Sequence, residues 1–183
     1  GVSESGYGML ARRARVGSER AEELGGLLTP AKLRVIGQLS DSHSKGYVEL
    51  TTRQDVQIHW IQLPMLREIF GKLAAAGMTT KGGCGDVLRN ITGCPVAGLD
   101  AEERFDAGPT VLEAHNLYSG NPKYGDLPRK HKWSISACAH HCNAPEIHDV
   151  ALVGTIQDGV PGYAVWVGGG LSAIVAPNAT YVA

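Results

Sequence analysis

Two helical segments, each with its own start and stop signal, bracket a pair of strand-like runs between residues 29 and 77. "TPAKLRVIGQLSDSHSKG" opens on Thr29, whose hydroxyl suits an N-cap, and on Pro30, whose fixed φ suits the first helical position. Leu33, Ile36 and Leu39 follow at helical spacing, with Val35 beside them, and Gly46 is placed to end the helix or the turn after it. "PMLREIFGKLAAAG" repeats the plan, with Leu66, Ile69, Phe70 and Leu73 on one stripe and Gly77 as its stop. Between the helices, "YVELTT" and "DVQIHWI" read as strands joined by a tight corner at Arg53 and Gln54. Upstream, residues 7–16, "YGMLARRARV", read as a strand with Arg12 and Arg13 near its centre, followed by the polar connection "SERAEELGGLL". A short strand from Met78 to Lys81 completes the order β-α-β-β-α-β, which predicts a ferredoxin-like unit over residues 1–81 and an α+β fold class.

Composition narrows the partners. The chain has 183 residues, of which 43% are apolar and 19% charged, as in a soluble globular protein with a real core. Seventeen Lys and Arg against eighteen Asp and Glu give net charge -1, so no global basic field points to nucleic acid. No apolar leader is visible in "GVSESGYGMLARRARV". From Gly159 to the end no residue is charged, but "GGG", Pro161, Pro177 and Asn178 interrupt that stretch. Buried strands, or a chain cut short of its partner segment, suit it better than a membrane span. No membrane partner and a cytoplasmic location are expected.

From Gly82 the pattern changes. "GGCGDVLRNITGCPVAG" is glycine-rich with little periodicity, which suits backbone that approaches a ligand closely. A helical patch runs over "GPTVLEAHNLYSG". Strands follow at "KWSISAC", "DVALVGTI" and "YAVWVGGG", the last two joined by the turn "QDGVPG".

Four stretches carry candidate chemistry. In "TTRQDVQIHWI" a period of two puts Arg53, Asp55, Gln57 and His59 on one face and Val56, Ile58 and Trp60 on the other. That polar face is either solvated or lines a pocket for a polyanion. Arg89, Asn90 and Thr92 are donors in a flexible stretch, or parts of an ordinary surface loop. "LPRKHKW" gathers Arg129, Lys130 and Lys132; in an extended segment Lys130 and Lys132 point to one side, which favours an anion between them. Finally, Cys138-x3-Cys142 has ligand spacing, with His140, His141 and His148 close in sequence. Zinc, an iron–sulfur cluster and two ordinary thiols are all open readings.

Taken together, "LTTRQDVQIHWI", "GDVLRNITGCPVAGLD", "YGDLPRKHKWSISAC", "HDVALVG" and "VWVGGGLS" stand in one order and at one approximate spacing. The set covers residues 6 to 172 and resembles the siroheme-dependent nitrite and sulfite reductases that draw electrons from ferredoxin. The resemblance implies a ferredoxin-like half-domain over 1–81 and a siroheme-binding α/β domain over 82–183, the N-terminal half of an enzyme built from two related halves. It implies six-electron reduction of nitrite or sulfite, with ferredoxin as donor and a C-terminal half or second chain as partner. Siroheme carries eight carboxylates, so cations and amide donors must line its pocket. By resemblance, Arg53, Lys130 and Lys132 reach the substrate anion and the siroheme carboxylates, and Gln57, His59, Arg89, Asn90 and Thr92 are further siroheme neighbours. One of the two lysines helps deliver protons through ordered water.

The resemblance also implies a [4Fe–4S] cluster in the complete enzyme, its ligands a C-x5-C and a C-x3-C from the second half. Here Cys94, Cys138 and Cys142 fall at three of four such positions, and Leu88 stands six residues before Cys94 where a cysteine is expected. Arg104 is the candidate for a further family arginine. Two alternatives follow from these departures: a non-catalytic half module that binds a tetrapyrrole or a partner, and a precorrin-3B synthase-like enzyme on the same scaffold.

Overall fold

The computed structural model describes residues 14–18 (backbone only), 28–170 and 180–182. The chain divides into two compact units, Gly1–Cys84 and Gly85–Ala183.

The first unit contains β1 (Ala14–Ser18), α1 (Pro30–His43), β2 (Glu49–Leu50), β3 (Val56–Ile58), α2 (Leu66–Ala75) and β4 (Met78–Thr79). The sheet order is β2-β3-β1-β4, with antiparallel neighbours throughout. This is the β-α-β-β-α-β order that the sequence predicts. The expected first strand over 7–16 is observed from residue 14, and residues 7–13, with Arg12 and Arg13, lie outside the described residues.

Local chemistry sets the helix ends. The Thr29 hydroxyl accepts from the Lys32 N–H at 3.3 Å, and Pro30 opens α1. The N–H groups of Ser44 and Gly46 both return to the Ser40 carbonyl. α2 stops where Gly77, at φ +69°, donates back to the Ala74 carbonyl. Ile36, Leu39, Val56, Ile58, Ile61, Ile69, Leu73 and Met78 form one buried cluster. Each such aliphatic side chain stabilises the fold by about 1.5–3 kcal/mol.

Leu33 and Phe70, expected on the buried stripes, are 50% and 43% exposed. The buried line of α1 runs through Lys32, Ile36, Leu39 and Ser40, and that of α2 through Ile69 and Leu73. One residue turns a helix by about 100°, so Leu33 beside Lys32 and Phe70 beside Ile69 face solvent.

The second unit contains α3 (Gly108–Tyr118), β5 (Trp133–Ser136), β6 (Val150–Gln157), β7 (Val160–Val167) and β8 (Thr180–Tyr181), with sheet order β5-β6-β7-β8. β5 and β6 run parallel from Trp133 opposite Val150 to Ser136 opposite Val153. β6 and β7 form an antiparallel hairpin that ends with Gln157 opposite Val160. Its loop is Asp158 and Gly159, both at positive φ, the left-handed pair that a two-residue hairpin requires. β7 is half-buried along most of its length, and β8 is exposed.

The glycine-rich stretch departs from its reading as an open loop. Leu88 bridges His131 and Thr92 bridges Ser134, both in parallel sense. The segment is therefore an edge of the sheet alongside β5. Among the described residues, no helix is long and apolar enough to cross a membrane.

Candidate functional site

The parallel edge brings the backbone that carries Arg89 and Asn90 against the backbone that carries Lys130 and Lys132. Leu127 N–H donates to the Asp86 carbonyl at 2.8 Å, His131 N–H to Val87 at 3.1 Å, and Arg89 N–H to the His131 carbonyl at 2.8 Å. Arg89 and Asn90 thus lie on a segment hydrogen-bonded to the one that carries Lys130 and Lys132, although about forty residues separate them in sequence. Lys130 is exposed and Lys132 half-buried. The backbone at Lys132 is fixed on both sides: its N–H donates to Asp149 Oδ2 at 2.7 Å, and its carbonyl accepts from Val150 N–H. Arg89 is half-buried, with Nη2 donating to the Gly85 carbonyl at 2.8 Å. Thr92 corrects the expectation of a ligand donor. It is 2% exposed and spends its hydroxyl on the Trp133 carbonyl at 3.2 Å, as a rung of the sheet edge.

The same edge borders an apolar cavity of about 250 Å3 lined by Leu88, Tyr118, Tyr124, Leu127, His131 and Trp133. Tyr118 packs on Trp133 at 5.0 Å and on Tyr124 at 5.4 Å between ring centroids. Trp133 Nε1 donates to His131 Nδ1 at 2.7 Å, so the neutral imidazole carries its proton on Nε2. Sequence reasoning missed this cup. Its only signal was aromatic density across residues 118–133. Along the paired segments the lining residues Leu88, His131 and Trp133 alternate with Arg89 and Lys132, so the rings and the cations take opposite faces of the edge.

In the first unit, Arg53 sits at the corner between β2 and β3. There Gln54, at φ +56°, donates to the Thr51 carbonyl, and Thr51 Oγ1 accepts from the N–H groups of Arg53 and Asp55. Gln57 is half-buried on β3, in register with Glu49 and Arg15. His59 Nε2 lies 2.9 Å from Glu49 Oε2. The continuous polar face expected over Arg53, Asp55, Gln57 and His59 is not formed. The strand is only Val56–Ile58, and Asp55 is buried at 5% exposure. Trp60 leaves the apolar face altogether: at φ +65° its ring turns outward, with Nε1 donating to Tyr47 Oη and Lys45 Nζ 3.8 Å from the ring centroid. Arg104, the candidate family arginine, is structural, with Nη1 donating to the Gly154 carbonyl and its N–H to the Ala137 carbonyl.

The cysteines meet in part. Cys94 and Cys138, both buried, have their sulfurs 3.9 Å apart, while Cys84 and Cys142 are exposed. Burial pushes the Cys94 thiol up to about 11; a hydrogen bond from the Val96 backbone opposes this, and Cys138 and Cys142 add to it. The histidines nearby are engaged elsewhere. His141 pairs with Glu146, His148 Nδ1 donates to the Ala144 carbonyl at 2.7 Å, and His140 lies 3.1 Å from Glu102. Burial raises the Glu146 carboxyl, but its own backbone N–H and the His141 ring outweigh that and hold it below the usual carboxylate range. Among the described residues, no group of three or more His, Cys, Asp or Glu is placed to hold a metal ion. Leu88, at the position of a fourth thiolate, is buried in the sheet edge. This chain's own cysteines therefore do not fit a [4Fe–4S] cluster, which needs four.

Comparison with known proteins matches residues 84–183 to the nitrite and sulphite reductase 4Fe-4S domain and residues 5–76 to the nitrite/sulfite reductase ferredoxin-like half domain. Sulfite reductase [ferredoxin] 2 of Mycolicibacterium paratuberculosis is 40% identical over 149 residues, covering 81% of this chain and 26% of that protein. The assimilatory ferredoxin-dependent nitrite reductase of Haloferax mediterranei is 34% identical over 166 residues, covering 83% and 28%. The solved structure of the Mycobacterium tuberculosis NirA protein superposes with a TM-score of 0.80 at 36% identity, over 92% of this chain and 30% of that one. Dissimilatory sulfite reductase I shares the fold, with a TM-score of 0.64 at 22% identity. The chain thus spans between a quarter and a third of the length of these reductases. With both family models matched in order along it, the chain belongs to the nitrite and sulfite reductase family.

Proposed function

We propose that this chain supplies anion- and siroheme-binding residues to a ferredoxin-dependent enzyme that reduces nitrite or sulfite by six electrons, with residues 1–81 as its ferredoxin-like half-domain and 82–183 as its siroheme-binding domain. The observation that carries the reading is the parallel pairing that sets the backbone of Arg89 and Asn90 beside that of Lys130 and Lys132. That donor set fits a macrocycle with many carboxylates. Arg89, Asn90, Lys130 and Lys132 in the second unit, and Arg53, Gln57 and His59 in the first, are the residues that would hold it. When bound, siroheme supplies the iron centre at which electrons meet the substrate.

The chain's own part is electrostatic. Fixed cations offset carboxylate charge and attract a small oxyanion, and a half-buried ammonium such as Lys132 can pass a proton to ordered water and be reprotonated. The matched relatives are named as reductases, which favours this reading over a non-catalytic module or a precorrin-3B synthase-like enzyme. A C-terminal half or second chain as partner belongs to the same proposal, supported by the length of those relatives beyond the matched region. Ferredoxin as donor and a cytoplasmic location complete the proposal.

The test is Lys130→Ala and Lys132→Ala in the complete enzyme. Truncating a surface lysine changes stability by less than about 0.5 kcal/mol. Removing a charge aimed at a transition state raises the barrier by about 2.7–4 kcal/mol. Turnover is expected to fall at least tenfold (about 1.4 kcal/mol of barrier) in one variant or both, with siroheme content retained. Parental turnover in both would refute the assignment.

A further inference from the structure

The sulfurs of Cys94 and Cys138, 3.9 Å apart and 44 residues apart in sequence, have no role in the proposed reduction. We infer that Cys94 and Cys138 form a reversible disulfide between the "GCPVAG" turn and the end of the strand "WSIS", with Cys142 as the thiol through which the oxidant enters. This goes beyond the reductase reading and does not depend on it.

Three observations carry the inference. The two sulfurs already touch at 3.9 Å, and a bond requires them to close to about 2.05 Å. Cys94 lies just ahead of a turn, where the N–H of Ala97 returns to its carbonyl at 3.2 Å, and Cys138 leads into the loop that carries His140 and His141. Both attachment points therefore lie just outside the paired strand residues, so the bond would form without a change in the sheet register. Third, the ligand set needed for the alternative use of these thiols, a cubane, is incomplete, because Leu88 stands in the fourth place.

Neither partner is well placed to meet an oxidant directly, since Cys94 is 9% and Cys138 1% exposed. Cys142 is exposed and only four residues along from Cys138, on the loop that Cys138 leads into. With a low-molecular-weight disulfide as oxidant, the Cys142 thiolate attacks one sulfur and expels one thiol, leaving a mixed disulfide. Cys138 displaces the second small thiol to give a Cys138–Cys142 bond. Cys94, which burial holds as the thiol, then gives up its proton in the slow step and attacks the Cys138 sulfur, releasing Cys142, which takes up a proton as the free thiol. Two protein thiols are oxidised, two small thiols are formed, and each cysteine's proton ends on a departing thiolate.

The experiment treats the full-length protein with oxidised glutathione under anaerobic, native conditions and maps disulfides by mass spectrometry of unreduced peptides. The expected product joins the Cys94 and Cys138 peptides and is reversed by dithiothreitol. Cys142→Ser is expected to slow its formation by about tenfold or more, because the exposed thiolate is the reactive species. Cys84→Ser is expected to leave the rate unchanged. Failure to link Cys94 to Cys138 in folded protein would overturn the inference. So would stoichiometric iron and sulfide that disappear in Cys138→Ser, because that loss would make these thiols cluster ligands.

Discussion

In the first unit, Ile36 and Leu39 of α1 and Ile69 and Leu73 of α2 belong to one cluster with Val56 and Ile58 of the sheet. In the second, several of the tightest contacts involve no large side chain. Gly154 on β6 lies so close to Ala137 that a Cβ there would stand 2.6 Å from the Ala137 Cα, and a Cβ on Gly169 would strike the carbonyls of Glu146 and His148. Ala137 and Ala151 are fully buried in the same region. The first unit gains cohesion by filling space with aliphatic carbon; the second has buried aliphatics of its own, Ile91, Ile135 and Val153 among them, and adds close backbone-to-backbone contact. The difference bears on function, because the tightly packed backbone lies in the unit that presents the cationic edge. Gly169 wedges against residues 146–148, and Asp149, the next residue, holds the Lys132 N–H.

The largest expected effect tests the aliphatic side of the comparison. Ile69 is 0% exposed, and Ile69→Ala removes its contacts and leaves a cavity between α2 and the sheet, a loss of about 2–5 kcal/mol. Urea unfolding followed by circular dichroism would measure it. A midpoint shift equivalent to less than about 1 kcal/mol would mean that the first unit does not rest on this cluster.

A methyl group added where backbone meets backbone tests the other side. In Gly169→Ala the new carbon meets main-chain oxygens that cannot rotate away, so overpacking is expected to cost about 1–3 kcal/mol. Gly154→Ala should cost a similar amount. Gly169→Ala should also displace the 146–148 turn and, through Asp149, the backbone at Lys132. The check is denaturant stability together with hydrogen exchange at the Lys132 amide. Faster exchange there with unchanged exchange in α1 would localise the damage to the second unit.

How much of each unit was legible follows from the same contrast. Thr29, Pro30 and Gly77 act on neighbours within a few residues, so the helix ends of the first unit could be read directly from the chain. The errors there, Leu33 and Phe70, come from taking a stripe one residue too wide, because local spacing does not say how broad a face the sheet will cover. In the second unit, "DVLRNIT" carries no strand periodicity of its own. Its strand character comes from a parallel partner about forty residues away, and such a pairing leaves no local signature. The cations themselves were visible in "LPRKHKW" and "VLRN", but their adjacency was not. Tyr118 and Tyr124, which line the hollow, were invisible as site residues because they come from the end of α3 and the turn that follows it.

The smallest effect is the sharpest, because the same substitution should change sign between the units. Gly37 in α1 and Gly71 in α2 are solvent-facing helical positions, and a Cβ at either would meet nothing within 4 Å. Alanine there narrows the freedom of the unfolded chain without touching the fold. Gly37→Ala and Gly71→Ala should each stabilise by about 0.5–1 kcal/mol. Alanine at Gly154 or Gly169 meets backbone and should destabilise. Measured side by side in one denaturant series, the four variants separate open helix surface from closed backbone contact. If Gly37→Ala and Gly169→Ala moved the midpoint in the same direction, the contrast between side-chain and backbone packing would fail, and with it the reason for tying Lys132 to the rigidity of the second sheet.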